Sequence, residues 1–206
     1  VFHKLTYLFT CDNRNRGILR LNFDEAALLW QAVRDTSGDI LEVGRRHGGS
    51  TILLLEAAQE SRKVISIDLA PAHAKEANDF FAQEKIVPRL SLVEGDSRQF
   101  CSPPVGLLFI DGDHSFEGCA ADVVAHWGQL QRISPDTPLL AVFHDAVPNE
   151  GAAFLNQINH CPGVAEVCKR LVDFGCARVV NASGSMLVLE KTAEIPLNIF
   201  TETFTE

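Results

Sequence analysis

No stretch of this sequence is apolar over the length needed to cross a bilayer; the longest such runs, Pro138 to Phe143 among them, are the size of a strand. The first residues, VFHKLTYLFTCDNRNR, lack the basic start, long apolar centre and small-residue cleavage site of a secretory signal, and read as structure. No C-x-x-C pair occurs among the six cysteines, Cys11, Cys101, Cys119, Cys161, Cys168 and Cys176, which are too sparse for a disulfide scaffold. They fit small buried hydrophobes in a reducing compartment, so a cytoplasmic location away from membranes is expected. Positive charge is also short: 18 lysines and arginines face 27 acids, a net charge of −9. Nucleic acid is therefore a poor partner, because displacing counterions from phosphates needs a cationic surface. Internal repeats and a linker rich in proline, glycine or serine are absent too.

What remains is the balance of a globular protein, 46% apolar and 22% charged. With 206 residues there is room for one domain, 1–206, read as a helical segment (1–38), a core (39–191) and a tail (192–206). Strand-length apolar runs recur at Asp39–Val43, Val64–Asp68, Leu90–Val93, Leu107–Ile110 and Leu139–Phe143. Each is continuous rather than alternating, as in parallel strands covered on both faces. Helical periods lie between them. Asp24 to Arg34 predicts a helix with Asp24 as its N-cap; Pro71 suits a first helical position ahead of Ala77, Phe80, Phe81 and Glu84. Ala120, Val123, Val124, Trp127 and Leu130 follow with helical spacing, and Trp127 and Trp30 fit core faces. Val164, Val167, Cys168, Leu171 and Val172 predict a last helix stopped by Gly175. Ala177–Val180 and Met186–Glu190, joined by Asn-Ala-Ser-Gly-Ser, are too close for a parallel crossover and predict an antiparallel hairpin. The alternation makes the fold class α/β.

The segment ILEVGRRHGGST, Ile40 to Thr51, is a strand running into a glycine turn and a helix. A dinucleotide turn needs a second glycine where Arg46 stands, and a phosphate loop needs a lysine after its last glycine; neither pattern is met. The pattern present is E-x-G-x-x-x-G-x-S-T, from Glu42 through Gly44, Gly48 and Ser50 to Thr51. It resembles motif I of the class I S-adenosylmethionine-dependent methyltransferases. VISIDL ending in Asp68, LVEGDS with Asp96, LLFIDGDHSFEG and AVFHDAV follow in that family's order. The last two resemble the subfamily with I-D-G-D-H and H-D strand ends, closest to sugar and small-molecule O-methyltransferases. The resemblance spans roughly Ile40 to Glu190. Departures are Ser134–Pro138, where the family has Pro-Gly-Gly, and the basic turn Arg45–Arg46–His47.

The resemblance implies a Rossmann-like, doubly wound, mostly parallel seven-stranded sheet with a terminal antiparallel hairpin strand, and S-adenosylmethionine as cofactor. It implies cofactor contacts at Glu42, Gly44, Gly48, Ser50, Asp68, Asp96 and Asp111, with Asp68 taking the ribose hydroxyls and Asp96 lying beside the adenine. Residue chemistry keeps plainer roles in view: Glu42 as a solvated acid, GDS as a local Asx turn, His47 as a loop residue, and Arg45 and Arg46 as exposed or as receivers of an anionic substrate. Methyl transfer to a hydroxyl requires alignment and removal of a proton, and Asp111, Asp113, His114, His144 and Asp145 cluster past the fourth and fifth strands for that work. Two catalytic schemes stand open. In one, Asp111, His144 and Asp145 hold a divalent metal, magnesium or manganese, with the histidine tilting toward manganese, iron or zinc. In the other, His144 or His114 is a general base. Asp113 and His114 equally suit the cap of the helix near Ser115. The acceptor is expected to be a small molecule, its pocket capped by residues before Asp39 and by Asn149–Gly163. The apolar positions of IPLNIFTETFTE could pack on the body or on a second copy, leaving a homodimer open. A nicotinamide-dependent oxidoreductase and a non-catalytic methyltransferase-like binding domain are the alternatives.

Overall fold

The computed structural model describes residues 18–148 and 161–201. At its centre is a seven-stranded sheet in the order β3-β2-β1-β4-β5-β7-β6. The strands are β1 (Ile40–Val43), β2 (Val64–Asp68), β3 (Leu90–Glu94), β4 (Leu107–Ile110), β5 (Leu140–Phe143), β6 (Ala177–Ser183) and β7 (Met186–Lys191). β1 to β5 pair in parallel, whereas β7 runs antiparallel to both β5 and β6. This is the Rossmann-like α/β architecture with its terminal hairpin.

Alternation along the strands builds two cores. Ile40, Leu107, Phe109, Val142 and Val188 face one side, under α1 (Phe23–Asp35), α2 (Gly49–Ala57) and α3 (Lys75–Phe81). Leu41, Val43, Leu108, Ile110 and Phe143 face the other, under α4 (Phe116–His126) and α5 (Pro162–Asp173). Each such side chain contributes about 1.5–3 kcal/mol when fully buried, which is why the central strands are apolar throughout. Trp127 is completely buried, with its indole N–H donating to the Ala193 carbonyl at 3.0 Å, and Trp30 packs against the first core.

Several local expectations are corrected. Asn22, not Asp24, caps α1: its side chain accepts the Glu25 N–H at 2.8 Å while the Glu25 carboxylate accepts the Asn22 N–H at 2.8 Å. Pro71 precedes α3, which starts at Lys75; in between, the His73 N–H donates to the Arg46 carbonyl at 2.8 Å. β3 is an edge strand, so Leu92 is exposed rather than covered. Val124 is exposed too, off the buried face of α4. The hairpin connection is shorter than expected, because β6 continues to Ser183 through a register shift between Val179 and Asn181. In the tail, Ile199 is buried and Phe200 meets Phe116 edge-on at 6.1 Å, so the described part packs on the body. Residues 1–17, 149–160 and 202–206, and with them the start of the chain, Cys11 and most of the expected Asn149–Gly163 cap, lie outside the described residues. Among the described residues no helix is long and apolar enough to cross a membrane.

Candidate active site

Strand order reverses between β1 and β4, and open α/β sheets bind ligands in the crevice past the strand ends at such a point. A cleft of about 1240 Å³ lies there, lined by Gly44, Asp68, Asp96, Asp111, His114, His144 and Asp145 among others. Gly44 has φ of 93°, and a Cβ on it would fall 2.1 Å from the Asp111 carbonyl. Only glycine lets β1 leave the sheet so close to the end of β4.

The Asp68 carboxylate, at the end of β2, braces the glycine turn. Its Oδ2 accepts the N–H of Arg45 at 2.7 Å and of Arg46 at 2.8 Å, and its Oδ1 accepts that of Ala70 at 3.1 Å. Arg46, at φ of 44°, is exposed on the cleft wall. Arg45 turns inward instead: its guanidinium is buried and donates to the Ser66 carbonyl at 2.7 Å and the Ala70 carbonyl at 2.9 Å, so it is neither exposed nor free to meet a substrate. His47 lies 3.2 Å from Arg20, and burial together with the charges of Arg20 and Arg46 lowers its pKa.

Glu42 and Gly48 take places away from the cleft wall. Glu42 points from β1 into the α2 face, fully buried, where it accepts hydroxyl bonds from Ser50 at 2.5 Å, Thr51 at 2.5 Å and Ser66 at 2.6 Å. Burial raises its pKa against the pull of those three bonds. Its carboxylate is closed off among those hydroxyls and is not solvated. Ser50 does line the cleft, with its hydroxyl committed to Glu42. Gly48, at φ of 86°, backs onto Ala77 and Phe81. Asp96 lines the cleft and forms the local turn, accepting the Arg98 N–H at 3.0 Å and pairing with its guanidinium at 2.7 Å. Asp113 likewise accepts the Ser115 N–H at 2.9 Å, and Ser115 caps α4.

Adjacent strands β4 and β5 bring Asp111, His144 and Asp145 together. His144 Nδ1 is 3.1 Å from Asp111 Oδ1 and 3.4 Å from Asp145 Oδ2. His144 Nε2 lies 3.6 Å from Glu25 Oε2 and 3.4 Å from the Ser185 hydroxyl. Burial opposes charge on this imidazole, yet the carboxylates of Asp111, Asp145 and Glu25 outweigh it and push the pKa up to about 12. Burial would raise Asp111 and Asp145, but the imidazoles hold both below the usual range. His114 stands at the rim, its Nε2 3.4 Å from Asp111 and its Nδ1 3.8 Å from Asp145, and the bond to Asp111 raises its pKa. Asp145 itself sits at φ of 56°; it and Arg46 are the two non-glycine residues in the left-handed region among those described, and both line the cleft.

The donor set fits a cation. Ligand atoms of Asp111, His144 and Asp145 all lie within 4.8 Å of one another. Around an ion with bonds of about 2.1 Å, neighbouring ligands stand about 3.0 Å apart in an octahedron and about 3.4 Å in a tetrahedron. Sequence reasoning missed Glu25, which joins α1 to this cluster and accepts the Ser185 N–H at 2.7 Å across 160 positions. The Asn22-x-x-Glu25 spacing marks the capping box at the start of α1 but not the approach of Glu25 to the cluster.

A family profile described as a methyltransferase domain matches residues 41–146, more than half of the chain. No curated protein matches the sequence. Solved structures with a similar fold include a candidate caffeoyl-CoA O-methyltransferase from Staphylococcus aureus, at 12% identity and TM-score 0.65 over 85% of this chain and 86% of that one. An O-methyltransferase from Bacillus cereus in complex with SAH aligns at 18% identity and TM-score 0.60, over 83% and 82%. An SAH-bound methyltransferase from Podospora anserina aligns at 14% and 0.62, over 85% and 80%.

Proposed function

This chain belongs to the methyltransferase domain family, and we propose that it transfers a methyl group from S-adenosylmethionine to a hydroxyl of a small molecule or sugar, with a divalent cation at Asp111, His144 and Asp145. The observation that carries this reading is the convergence of those three side chains at the ends of β4 and β5 on the floor of the cleft. The nicotinamide alternative loses its ground, since Arg46 occupies its second glycine and the family is one of methyltransferases. Methyltransferase neighbours with SAH bound support the cofactor.

The cleft exceeds the usual 300–1,000 Å³ of a single-ligand pocket, leaving space for cofactor and acceptor together. Asp68 accepts three N–H bonds in the turn and keeps one lone pair on Oδ1, so it can take a ribose hydroxyl while holding Arg45 and Arg46 in place. When bound, S-adenosylmethionine supplies an electrophilic methyl, and a cation lowers the pKa of the acceptor hydroxyl. With Nδ1 turned to the Asp111 and Asp145 side of the cation site and Nε2 facing Glu25 and Ser185, His144 has no nitrogen to spare for the departing proton. Where no cation engages it, His114 is the imidazole a hydroxyl can reach: its Nε2 is bonded to Asp111 at 3.4 Å, and its Nδ1, 3.8 Å from Asp145, is left for the departing proton.

Titration calorimetry with SAH, with and without magnesium or manganese, tests the proposal. Expected are SAH binding to the wild type and cation binding lost in Asp111→Asn. Absence of SAH binding would sink the cofactor assignment, and cation binding unchanged in Asp111→Asn would sink the metal site.

A further inference from the structure

Five metal-binding side chains, not three, gather at the cleft: beside Asp111, His144 and Asp145 lies a second set, His114, Asp145 and Cys161, whose ligand atoms also fall within 4.8 Å of one another. Resting on the cation reading above, we propose that His114, Asp145 and Cys161 seat a cation with Cys161 as its thiolate ligand, Asp145 being the residue common to both sets, so that this ion belongs to the zinc, iron and cobalt class rather than being magnesium.

The fold builds this position. Cys161 is the N-cap of α5, and its N–H donates to the Asp145 carbonyl at 2.7 Å, tying the start of the helix to the end of β5. Gly163 lets α5 press on the start of α4, for a Cβ there would lie 2.3 Å from the Phe116 nitrogen and 2.9 Å from the His114 carbonyl. That wedge brings Cys161 against His114. Of the five described cysteines, all free, Cys161 alone lines the cleft.

Donor chemistry then selects the ion. Magnesium asks for a near-regular shell of oxygens, retains its waters and gains nothing from sulfur. Imidazole and thiolate favour zinc, iron and cobalt over the alkaline earths. His114 Nδ1 stands 3.8 Å from Asp145 Oδ2, close to the spacing of about 3.4 Å that two ligands with bonds of about 2.1 Å keep in a tetrahedron. On binding, the Cys161 S–H bond breaks, its proton goes to solvent, and the sulfur keeps the electron pair it offers the metal.

Cobalt reports such a bond by colour. Purified full-length chain titrated with Co²⁺ is expected to show a thiolate-to-cobalt charge-transfer band in the near ultraviolet, displaced by zinc but not by excess magnesium. Cys161→Ser should lose the band and weaken zinc binding by about 10- to 100-fold or more, since even supporting residues cost that much. In the wild type, zinc but not magnesium should protect Cys161 from alkylation, a readout that needs no variant. Cobalt bound without the band, with equal zinc affinity in Cys161→Ser, would overturn the sulfur ligand and leave the cation site standing. Failure of every divalent ion to bind would overturn both.

Discussion

Glu42→Ala removes an acceptor that three buried hydroxyls share, and the structure sets the size of the loss. Thr51 and Ser66 lie 3.3 Å apart and Arg45 Nη1 lies 3.4 Å from Ser66, so those two hydroxyls retain weak partners. Ser50 has only Glu42 as its hydrogen-bond acceptor among these groups. One to two unpaired hydroxyls cost roughly 1–3 kcal/mol each, and relief of the buried carboxylate returns part of that, so the net loss is about 2–4 kcal/mol. In a domain of this size each kcal/mol moves Tm by about 2–4 °C, giving a fall of roughly 5–15 °C. Glu42→Gln keeps the shape and should stay close to wild type. The pair also differs in pH dependence. Burial raises the Glu42 pKa above 4.5, so wild-type stability declines relative to Glu42→Gln as pH rises from 4.5 through the folded value, and the gap is constant below that window. Thermal and urea melts at several pH values read both effects. An unchanged Tm in Glu42→Ala with weakened SAH binding would refute the argument, because it would mean that the carboxylate faces ligand.

Two further outcomes follow from the geometry. Without added cation, His144 contributes stability that is fully present below 6.5 and is lost as pH rises through about 12, so the gap between wild type and His144→Gln should shrink from about pH 6 to about pH 10. Denaturant melts across that range check it, and a constant gap would contradict the three-carboxylate cage. Gly106→Ala places a Cβ 1.6 Å from the Ser37 carbonyl and should cost about 3 kcal/mol or more, read as a lower urea midpoint; a wild-type midpoint would show that the 36–39 loop yields freely.

The central strands were legible because burial on both faces leaves no polar position in Leu107–Ile110 or Leu140–Phe143. Edges were not: β3 carries the same apolar look in Leu90, Leu92 and Val93 yet borders solvent, since composition records propensity and not neighbours. Asp111, His144 and Asp145 were readable as a group because adjacent parallel strands must end side by side. Glu25 and Cys161 were hidden for the opposite reason, as their approach depends on how α1 and α5 settle onto the sheet. Glu42 shows a third case. Its motif position is visible in sequence, but strand alternation turns it toward Ser50 and Thr51, away from the cleft.

The bond from the Cys161 N–H to the Asp145 carbonyl means that the chain departs from the end of β5 and comes back to the same point. Whatever its length, the intervening stretch closes on one fixed clasp. Closure entropy grows slowly, by about 0.6 kcal/mol for each doubling of a flexible loop. Evolution can therefore lengthen, shorten or rewrite a stretch closed by such a clasp at little cost to folding, while Asp111, His144 and Asp145 stay where the ends of β4 and β5 have put them.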